Sequence, residues 1–520
     1  MLEKILKNRT VVLYLLPFFL GLLSVFSFQP FNFSFINFFL LPVLFFILVY
    51  VKQKSKSTYR KKPYLRNLFF VGMLFGFGFY LSGIFWVAYS LTFDESFKIL
   101  IPFAIILIPL FLSLFTGLTT IAVGQFLSYN FTSILLFSGF LSLADYLRGK
   151  VLSGFPWNLW SYSWSWLTEV LQILNLLGLY AYNLLAITIF MLPAVLFFKI
   201  NFNKKILIAS LTFLFIFLIY IYGTFSINKN KALLNYIKDN QKIYTKVISP
   251  NFELEYNVSF EEIEKRLRDL IKYSEPNDKK TTLFIWPEGV FTGYSYDEIS
   301  KFSYLIKENF KKDHLIVFGI NTLDKKTGDY FNSLIIVNND FKILHQYDKK
   351  KLVPFGEFLP FERILNKIGL KKITQGYVSF SKGKISKNIS INNFNILPLI
   401  CYEVIFPELV QKSGEEVNLI VNISEDGWFG NSIGPHQHFA KAIFRSVENN
   451  SFLVRSANKG ISAIINNNGE IVKKLNTYET GNIETGIPVI KPKYKNKNDL
   501  IFFTLLFTYL FIFLIFKNKN

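Results

Sequence analysis

Cys401 is the only cysteine in this 520-residue chain. It directly follows the apolar run Asn395-Ile-Leu-Pro-Leu-Ile400 and precedes Tyr402 and Glu403, which is how the end of a strand presents a nucleophile. One cysteine cannot form an internal disulfide, and one thiol without histidine neighbours is a poor metal site. Taken alone, the residue is more simply explained as a small buried side chain, because free cysteine is among the most buried residue types.

Two other predicted strand ends supply charged residues that a cysteine nucleophile needs. Glu288 ends Leu283-Phe-Ile-Trp-Pro, and Lys349 follows Tyr347-Asp, with a second carboxylate, Glu357, eight residues later. Such a thiol requires a base to form the thiolate and a fixed positive charge to hold the oxyanion that follows attack. A Glu–Lys–Cys set supplies both without histidine.

Each of these charged residues also has a purely structural explanation. Lys349 begins a run of three lysines, which alone indicates a solvated face, and Glu288 is consistent with an exposed loop carboxylate. Glu357 is consistent with a loop acid packed against lysines, and Glu403 with a structural ion-pair partner. His436 and His438 suggest a metal site, but the Gly-Pro-His segment is more consistent with the start of a helix, so no metal is predicted.

The composition is that of a membrane protein. The chain is 51% apolar, with 60 Phe and 27 Tyr, and a spanning helix needs roughly 20 apolar residues. We predict eight spans, of which the fifth is short and carries Asp145: Val11–Phe28, Phe35–Val51, Leu68–Leu91, Ile99–Leu127, Ser133–Leu147, Val170–Phe198, Ile206–Gly223 and Leu500–Phe516. The predicted domains are a seven-span membrane domain (1–223), an extramembrane domain (224–498) and a C-terminal span with its tail (499–520).

Basic residues predict the orientation of these spans, because lysine and arginine concentrate in cytoplasmic links. They cluster at the N-terminus, in the second and sixth links and in the C-terminal tail: Lys4, Lys7, Arg9, Lys52, Lys54, Lys56, Arg60, Lys61, Lys62, Arg66, Lys199, Lys204, Lys205, Lys517 and Lys519. Both termini are therefore predicted to be cytoplasmic, and the 224–498 domain to lie outside the cytoplasm. The net charge of +21 does not indicate nucleic-acid binding, since no recognition-helix or aromatic-basic pattern accompanies it.

The extramembrane domain alternates short apolar runs with helical patterns, which predicts a layered α/β fold. Helices are predicted over Phe260–Tyr273 and His436–Asn449. The predicted strands are Ile243–Ile248, Thr282–Trp286, His314–Ile320, Ser333–Asn338, Ile396–Ile400, Asn418–Ile423, Phe452–Ser456 and Ile461–Ile465.

The motifs that contain Glu288, Lys349 and Cys401, in this order, resemble those of the nitrilase (carbon–nitrogen hydrolase) superfamily. Together with the spans, nearly the whole chain is similar to the apolipoprotein N-acyltransferase family. The further segments that carry this resemblance are Phe77-Gly-Phe-Tyr-Leu-Ser-Gly83-Ile-Phe-Trp86, Leu147-Arg148-Gly-Lys-Val-Leu-Ser-Gly154-Phe-Pro156-Trp157 and Asn422-Ile-Ser-Glu-Asp-Gly-Trp428-Phe-Gly430-Asn-Ser-Ile-Gly434-Pro-His-Gln-His438.

The resemblance implies an α-β-β-α sandwich and a role for each site residue. Glu288 would be the general base and acid, Lys349 the oxyanion stabiliser and Cys401 the acylated nucleophile. Glu357 would orient Lys349 and the substrate. Tyr402, through its backbone N–H, and Glu403 would support the site beside the nucleophile.

The resemblance also implies the reaction and its partners. The enzyme would transfer an acyl group from a membrane phospholipid, through a cysteine thioester, to the N-terminal amine of a diacylated apolipoprotein. It would be a bacterial inner-membrane protein with a periplasmic catalytic domain, without a cofactor, and a monomer in the bilayer. The alternatives are a membrane-tethered amidase and a non-enzymatic transporter or scaffold.

Two positions depart from that family's usual pattern. Tyr256 stands where a tryptophan is usual, and Asp145 where a glutamate is usual before Leu147-Arg148-Gly. We expect Tyr256 to keep an aromatic face and Asp145 to remain a charge partner for Arg148.

Overall fold

The computed structural model describes residues 8–54, 63–237, 242–255, 258–277, 281–362, 367, 379–384, 388–391, 394–411, 417–490 and 498–516. The chain forms two compact units. The first comprises Met1–Ala88, Ile99–Phe225 and Lys497–Asn520, and the second comprises Tyr89–Lys98 and Ser226–Asn496.

The first unit is helical. Its α-helices are α1 (Leu16–Leu23), α2 (Asn37–Lys54), α3 (Pro63–Ile84), α4 (Ile101–Gly124), α5 (Phe131–Lys150), α6 (Thr168–Leu171), α7 (Leu174–Leu177), α8 (Leu179–Met191), most of α9 (Phe202–Asn235) and α15 (Asn498–Phe516). By length and composition, six helical segments of the described residues can cross a membrane: Ser34–Lys54, Tyr64–Phe93, Glu95–Gly124, Leu179–Phe197, Phe202–Asn235 and Asp499–Phe516.

The predicted total of eight spans remains a prediction. The first predicted span coincides with a shorter apolar helical segment, Val11–Ser27. The fifth lies in α5, which is long enough but carries Asp145, Arg148 and several serines and is not among the six. Arg148 Nη2 lies 2.8 Å from Asp145 Oδ1 with both side chains buried, so the expected charge partnership of these residues is confirmed.

One predicted span is wrong as a continuous helix. Val170–Phe198 is divided into α6, α7 and α8, and Gly178 separates the last two with φ +75°. That left-handed backbone suits glycine and cannot continue an α-helix. Only Leu179–Phe197 remains as the long apolar segment.

The second unit contains two six-stranded sheets. In chain order the strands are β1 (Lys242–Ser249), β2 (Thr282–Ile285), β3 (Leu315–Leu323), β4 (Tyr330–Val337), β5 (Ile343–Asp348), β6 (Ile389–Ile391), β7 (Phe394–Ile400), β8 (Leu419–Glu425), β9 (Phe452–Asn458), β10 (Ser462–Ile465), β11 (Ile471–Leu475) and β12 (Gly481–Pro488). The sheet orders are β12-β1-β2-β3-β4-β5 and β11-β10-β9-β8-β7-β6. Strands β1, β2 and β3 run parallel, as do β7, β8 and β9, and the remaining pairs are antiparallel.

Helices cover the outer faces of the two sheets. The other helices of this unit are α10 (Phe260–Ser274), α11 (Tyr296–Ile299), α12 (Ser303–Asn309), α13 (Pro407–Gln411) and α14 (Gly434–Asn449). Helix α10 buries Ile263, Leu267 and Leu270 in one core with residues of β2 and β3, and α14 packs on β9. The two sheets face each other, and Ser456 Oγ of β9 donates to the Ile248 carbonyl of β1 at 2.7 Å. This helix–sheet–sheet–helix order agrees with the predicted sandwich.

The sequence of α10 explains its limits. Ser259 caps its start by accepting from the Glu262 N–H, and Glu261 and Glu262 place negative charge in the first turn. Such a cap and acidic first turn complement the free N–H groups and the positive end of the helix dipole. The helix ends where Glu275 takes a left-handed conformation.

Candidate active site

Strand ends position the three residues that are predicted to do chemistry. Glu288 lies three residues beyond β2, whereas Lys349 directly follows β5 and Cys401 directly follows β7. The backbone N–H of Trp286 donates to the Val317 carbonyl at 2.8 Å, which extends the β2–β3 pairing towards Glu288. These positions bring polar side chains to the ends of strands, where hydrogen bonds to neighbouring strands hold the backbone.

Lys349 is at the centre of the site and is 1% exposed, so the interpretation of the lysine run as a solvated face does not hold for this residue. Its Nζ lies 2.8 Å from Glu357 Oε1 and 3.2 Å from Glu288 Oε1. Burial opposes its charge, but the two carboxylates outweigh burial and raise the pKa of Lys349 above its usual value. The side chain is therefore a permanent cation, as an oxyanion stabiliser must be.

Asn332 is a site residue that sequence reasoning missed. Its side-chain Nδ2 donates to Glu288 Oε1 and to Glu357 Oε1, both at 2.7 Å. Its backbone carbonyl accepts from the backbone N–H of Lys349 at 2.9 Å. One amide thus holds two like-charged carboxylates in place beside the lysine. In the sequence, Asn332 is recognisable only as the polar residue directly before Ser333–Asn338, the run that predicts β4.

Glu288 is held through both carboxylate oxygens. Oε1 accepts from Asn332 and Lys349, and Oε2 accepts from the backbone N–H of Glu425 at 3.1 Å. Gly319 of β3 makes room for this backbone, since a Cβ there would lie 2.9 Å from Glu288 Cα. Glu288 is buried, so the exposed-loop explanation for it is wrong.

Cys401 begins a short 3-10 helix, Cys401–Ile405, and has a left-handed φ of +48°. The residue is buried, and burial together with the charge of Glu288 raises the pKa of its thiol, while Lys349 and the Ser424 hydroxyl oppose this rise. The thiol is therefore protonated at neutral pH. A thiol in this state would have to lose its proton in order to attack, and Glu288 is the carboxylate whose charge acts most strongly on it.

Glu403 is buried in the 3-10 helix that begins at Cys401, and its described contacts are hydrogen bonds rather than the ion pair of the structural alternative. Oε1 accepts from the N–H groups of Lys350 and Lys351 at 2.7 and 3.1 Å, and Oε2 accepts from the Ile400 N–H at 2.9 Å. The Tyr347 hydroxyl donates to both oxygens. Glu403 therefore ties the segment that carries Lys349 to the segment that carries Cys401.

The other predicted positions contribute less to the described geometry. Tyr402 is buried next to the nucleophile, and its ring packs edge-on against Phe406. Tyr256 lies outside the described residues. Gly434-Pro-His436 begins α14 as expected, and within the described part of the chain no group of three or more His, Cys, Asp or Glu residues could hold a metal ion.

Known proteins match both parts of the chain. The family model described as apolipoprotein N-acyltransferase N-terminal domain matches residues 20–192, and the model described as carbon-nitrogen hydrolase matches residues 253–491. A solved structure of a Saccharomyces cerevisiae member of branch 10 of the nitrilase superfamily is 20% identical, with a TM-score of 0.35 over 48% of this chain and 90% of that chain.

Relatives that extend over nearly the full length decide the family. The apolipoprotein N-acyltransferase of Rickettsia typhi is 34% identical over 479 residues, which cover 91% of both chains. That of Rhodopseudomonas palustris is 30% identical over 485 residues, which cover 90% of this chain and 88% of the relative. The chain therefore belongs to the apolipoprotein N-acyltransferase family.

Proposed function

We propose that this protein transfers a fatty acyl group from a membrane phospholipid to the N-terminal α-amino group of a diacylated apolipoprotein, with Cys401 as the intermediate carrier. The observation that carries this proposal is the buried Lys349 between Glu357 and Glu288, in a chain of this family. A permanent cation and a carboxylate base beside one thiol are what acyl transfer through a thioester requires.

In the first half-reaction, Glu288 takes the thiol proton as Cys401 Sγ attacks the ester carbonyl of the phospholipid. Lys349 stabilises the oxyanion, with the backbone N–H of Tyr402 proposed as a second donor. One such donor contributes on the order of 3 kcal/mol to the stability of the transition state. The C–O bond then breaks, the lysophospholipid alkoxide takes the proton from Glu288, and a thioester remains on Cys401.

In the second half-reaction, the amine of the diacylated lipopeptide attacks the thioester. The N–C bond forms, the C–S bond breaks, and Glu288 passes the amine proton to the departing thiolate. Glu357 acts through Lys349 by holding its ammonium, and Glu403 by joining the two segments of the site. The product is an amide and the free thiol is restored.

The proposal includes the location of the reaction. The distribution of basic residues favours a catalytic unit on the periplasmic side of the inner membrane, with both termini in the cytoplasm, and the protein acting as a monomer. Two lipid substrates then reach the site laterally from the bilayer, and exclusion of water protects the thioester from hydrolysis.

The decisive experiment follows the acyl group on the intact protein. Full-length protein in detergent is incubated with a phospholipid that carries a deuterated acyl chain, and its intact mass is measured before and after addition of a diacylated lipopeptide. We expect one deuterated acyl group on the wild-type protein, its transfer to the lipopeptide, and neither event in C401A. Acylated lipopeptide from C401A would contradict the proposal, as would hydrolysis of a soluble amide without acylation of the lipopeptide.

A further inference from the structure

His438 of α14 contacts the backbone of the nucleophile. Its side chain is completely buried, and Nε2 lies 3.2 Å from the carbonyl oxygen of Cys401. The other ring nitrogen, Nδ1, lies 2.9 Å from Asp426 Oδ1 and 3.0 Å from Arg455 Nη2. The acyl-transfer steps described above use none of these three side chains.

The hydrogen-bond partners define which ring nitrogen carries the hydrogen. A carbonyl oxygen only accepts, so Nε2 must donate to Cys401. Nδ1 lies beside both an acceptor, Asp426 Oδ1 at 2.9 Å, and a donor, Arg455 Nη2 at 3.0 Å, so it can accept from the arginine without a hydrogen of its own. Burial and the charge of Arg455 lower the pKa of His438 to about 4. At neutral pH the ring is therefore neutral and carries one hydrogen. Placing that hydrogen on Nε2 lets both nitrogens bond, because Nε2 then donates to the Cys401 carbonyl and Nδ1 accepts from Arg455.

A buried ion pair fixes the ring in this orientation. Arg455 Nη2 donates to both oxygens of Asp426, at 2.9 and 2.7 Å, and the Ser424 hydroxyl donates to Asp426 Oδ1 at 2.7 Å. Arg455 Nη1 also donates to Asn422 Oδ1. Such a fully buried, densely bonded network has little freedom to rearrange, so the ring that it holds is a rigid support.

The backbone of Cys401 needs such a support. A φ of +48° is disfavoured for a residue with a Cβ and persists only where the surrounding structure imposes it. On the N-terminal side, the Ile400 N–H is held by Glu403 Oε2. On the C-terminal side, the Cys401 carbonyl is held by His438.

We propose that His438 is a positioning residue, whose Nε2–H fixes the Cys401 carbonyl and keeps the thiol aimed at the carboxylate and ammonium groups of the site. Asp426 and Arg455 act through the ring by holding it in place. This inference rests on the proposed role of Cys401 as the nucleophile, and it is independent of which acyl donor the enzyme uses.

Two substitutions separate the hydrogen bond from the bulk of the ring. The side-chain amide of H438Q can place an N–H near the position of Nε2, whereas that of H438N reaches only the position of Nδ1. The matched control is H314N, since His314 is equally buried and bonds the Lys311 N–H and the Asn277 carbonyl elsewhere in the same unit. All variants are full-length proteins in detergent, and their thermal unfolding is recorded.

The measurement is the burst of nitrophenolate released from p-nitrophenyl butyrate, an activated ester that requires no lipid recognition. Sγ attacks the carbonyl, the C–O bond breaks as nitrophenolate leaves, and the thiol proton passes to Glu288. The C401A variant gives the background rate.

We expect H438N to slow the burst by about 10- to 100-fold, the cost of a slight misplacement of a reacting group. H438Q should remain within about threefold of the wild-type rate, because it restores the bond. H314N should lower the unfolding temperature and leave the burst rate unchanged.

Phospholipid-to-lipopeptide acylation by the same proteins provides the second readout. A lower kcat with unchanged KM is expected in H438N, since His438 is completely buried and acts through the backbone of Cys401. Equal burst rates in H438N and the wild-type protein, or an H438Q as slow as H438N, would overturn the positioning role. If H438Q gives a faster ester burst than H438N while the wild-type protein acylates no lipopeptide, only the proposed function fails.

Should H438N not fold, D426N takes its place, and a wild-type burst rate in folded D426N also overturns the inference.

Discussion

Lys349 lies closer to Glu357 than to the proposed base, with Nζ 2.8 Å from Glu357 Oε1 and 3.2 Å from Glu288 Oε1. The shorter of the two contacts is thus made by a residue that is not assigned proton transfer. Glu288 can then change its protonation state during the reaction while Glu357 keeps Lys349 charged and in place. This division of roles between two carboxylates leads to the first prediction.

Replacement of Glu357 by glutamine should reduce turnover strongly without removing either reacting group. Oε1 accepts from Lys349 and Asn332, and Oε2 accepts from the Val353 N–H at 2.8 Å. The amide nitrogen of E357Q must therefore face a donor whichever way it points. We expect kcat to fall about 10- to 100-fold, measured as lipopeptide acylation.

The control for E357Q is E264Q, which removes a carboxylate from an ion pair with Arg268 on α10. Pairs at such exposed helical positions contribute only about 0.3–0.5 kcal/mol to stability. Activity in E264Q should match that of the wild-type protein. Wild-type activity in E357Q would show that Lys349 does not depend on Glu357.

Asn332 gives the second prediction, because its amide joins Glu288 to Glu357. N332D would place a third carboxylate against the other two, and at least one of them would be forced to bind a proton. We expect N332D to lose more activity than N332A, which removes the bridge without adding charge. Acylation rates of the two variants, compared over a range of pH values, test this order.

The third prediction concerns Glu403, whose carboxylate receives three backbone N–H groups and the Tyr347 hydroxyl. In E403Q one of these buried donors must lose its acceptor, which costs about 1–3 kcal/mol in the free energy of unfolding. Y347F removes one hydrogen bond and leaves the carboxylate satisfied by the backbone, so it should cost only about 1 kcal/mol. Denaturant unfolding in detergent measures both values, and equal losses would contradict this account.

The strands that the sequence predicted share one property: they are all internal to the sheets. Their two faces are buried, so they appear as continuous apolar runs. The four strands that were missed, β5, β6, β11 and β12, are the outer strands of the two sheets. Strand β11, for example, is exposed along most of its length. Outer strands are defined by their pairing partners, which a local pattern does not contain.

The same distinction applies to the site. Glu288 and Cys401 follow apolar runs, so the end of each run marked them, and Lys349 was marked by its motif with Glu357 eight residues later. Asn332 and His438 act through contacts with segments that are distant in sequence, and Gly319 matters only because the Glu288 backbone passes over it. Likewise, Gly178 interrupts an otherwise uniform apolar stretch, and hydropathy alone does not register its left-handed backbone.

The last prediction concerns the acidity of the thiol itself. Burial and the charge of Glu288 raise the pKa of Cys401, and Lys349 opposes that rise. E288Q removes the negative charge and should lower the thiol pKa, so that more thiolate is present at any given pH above neutrality. The same variant loses the proton acceptor for the attack and should lose turnover. K349M removes the opposing cation, so the thiol pKa should rise further and turnover should also fall.

The rate of alkylation by iodoacetamide as a function of pH reports the thiol pKa, and the signal belongs to Cys401 because the chain has no other cysteine. The alkylation curve of E288Q should lie at lower pH than that of the wild-type protein, and the curve of K349M at higher pH, while E264Q leaves it unchanged. Two variants that both lose turnover would thus shift thiol acidity in opposite directions. Shifts in the same direction would mean that one of these charges does not act on the thiol, and the assignment of base and cation would have to change.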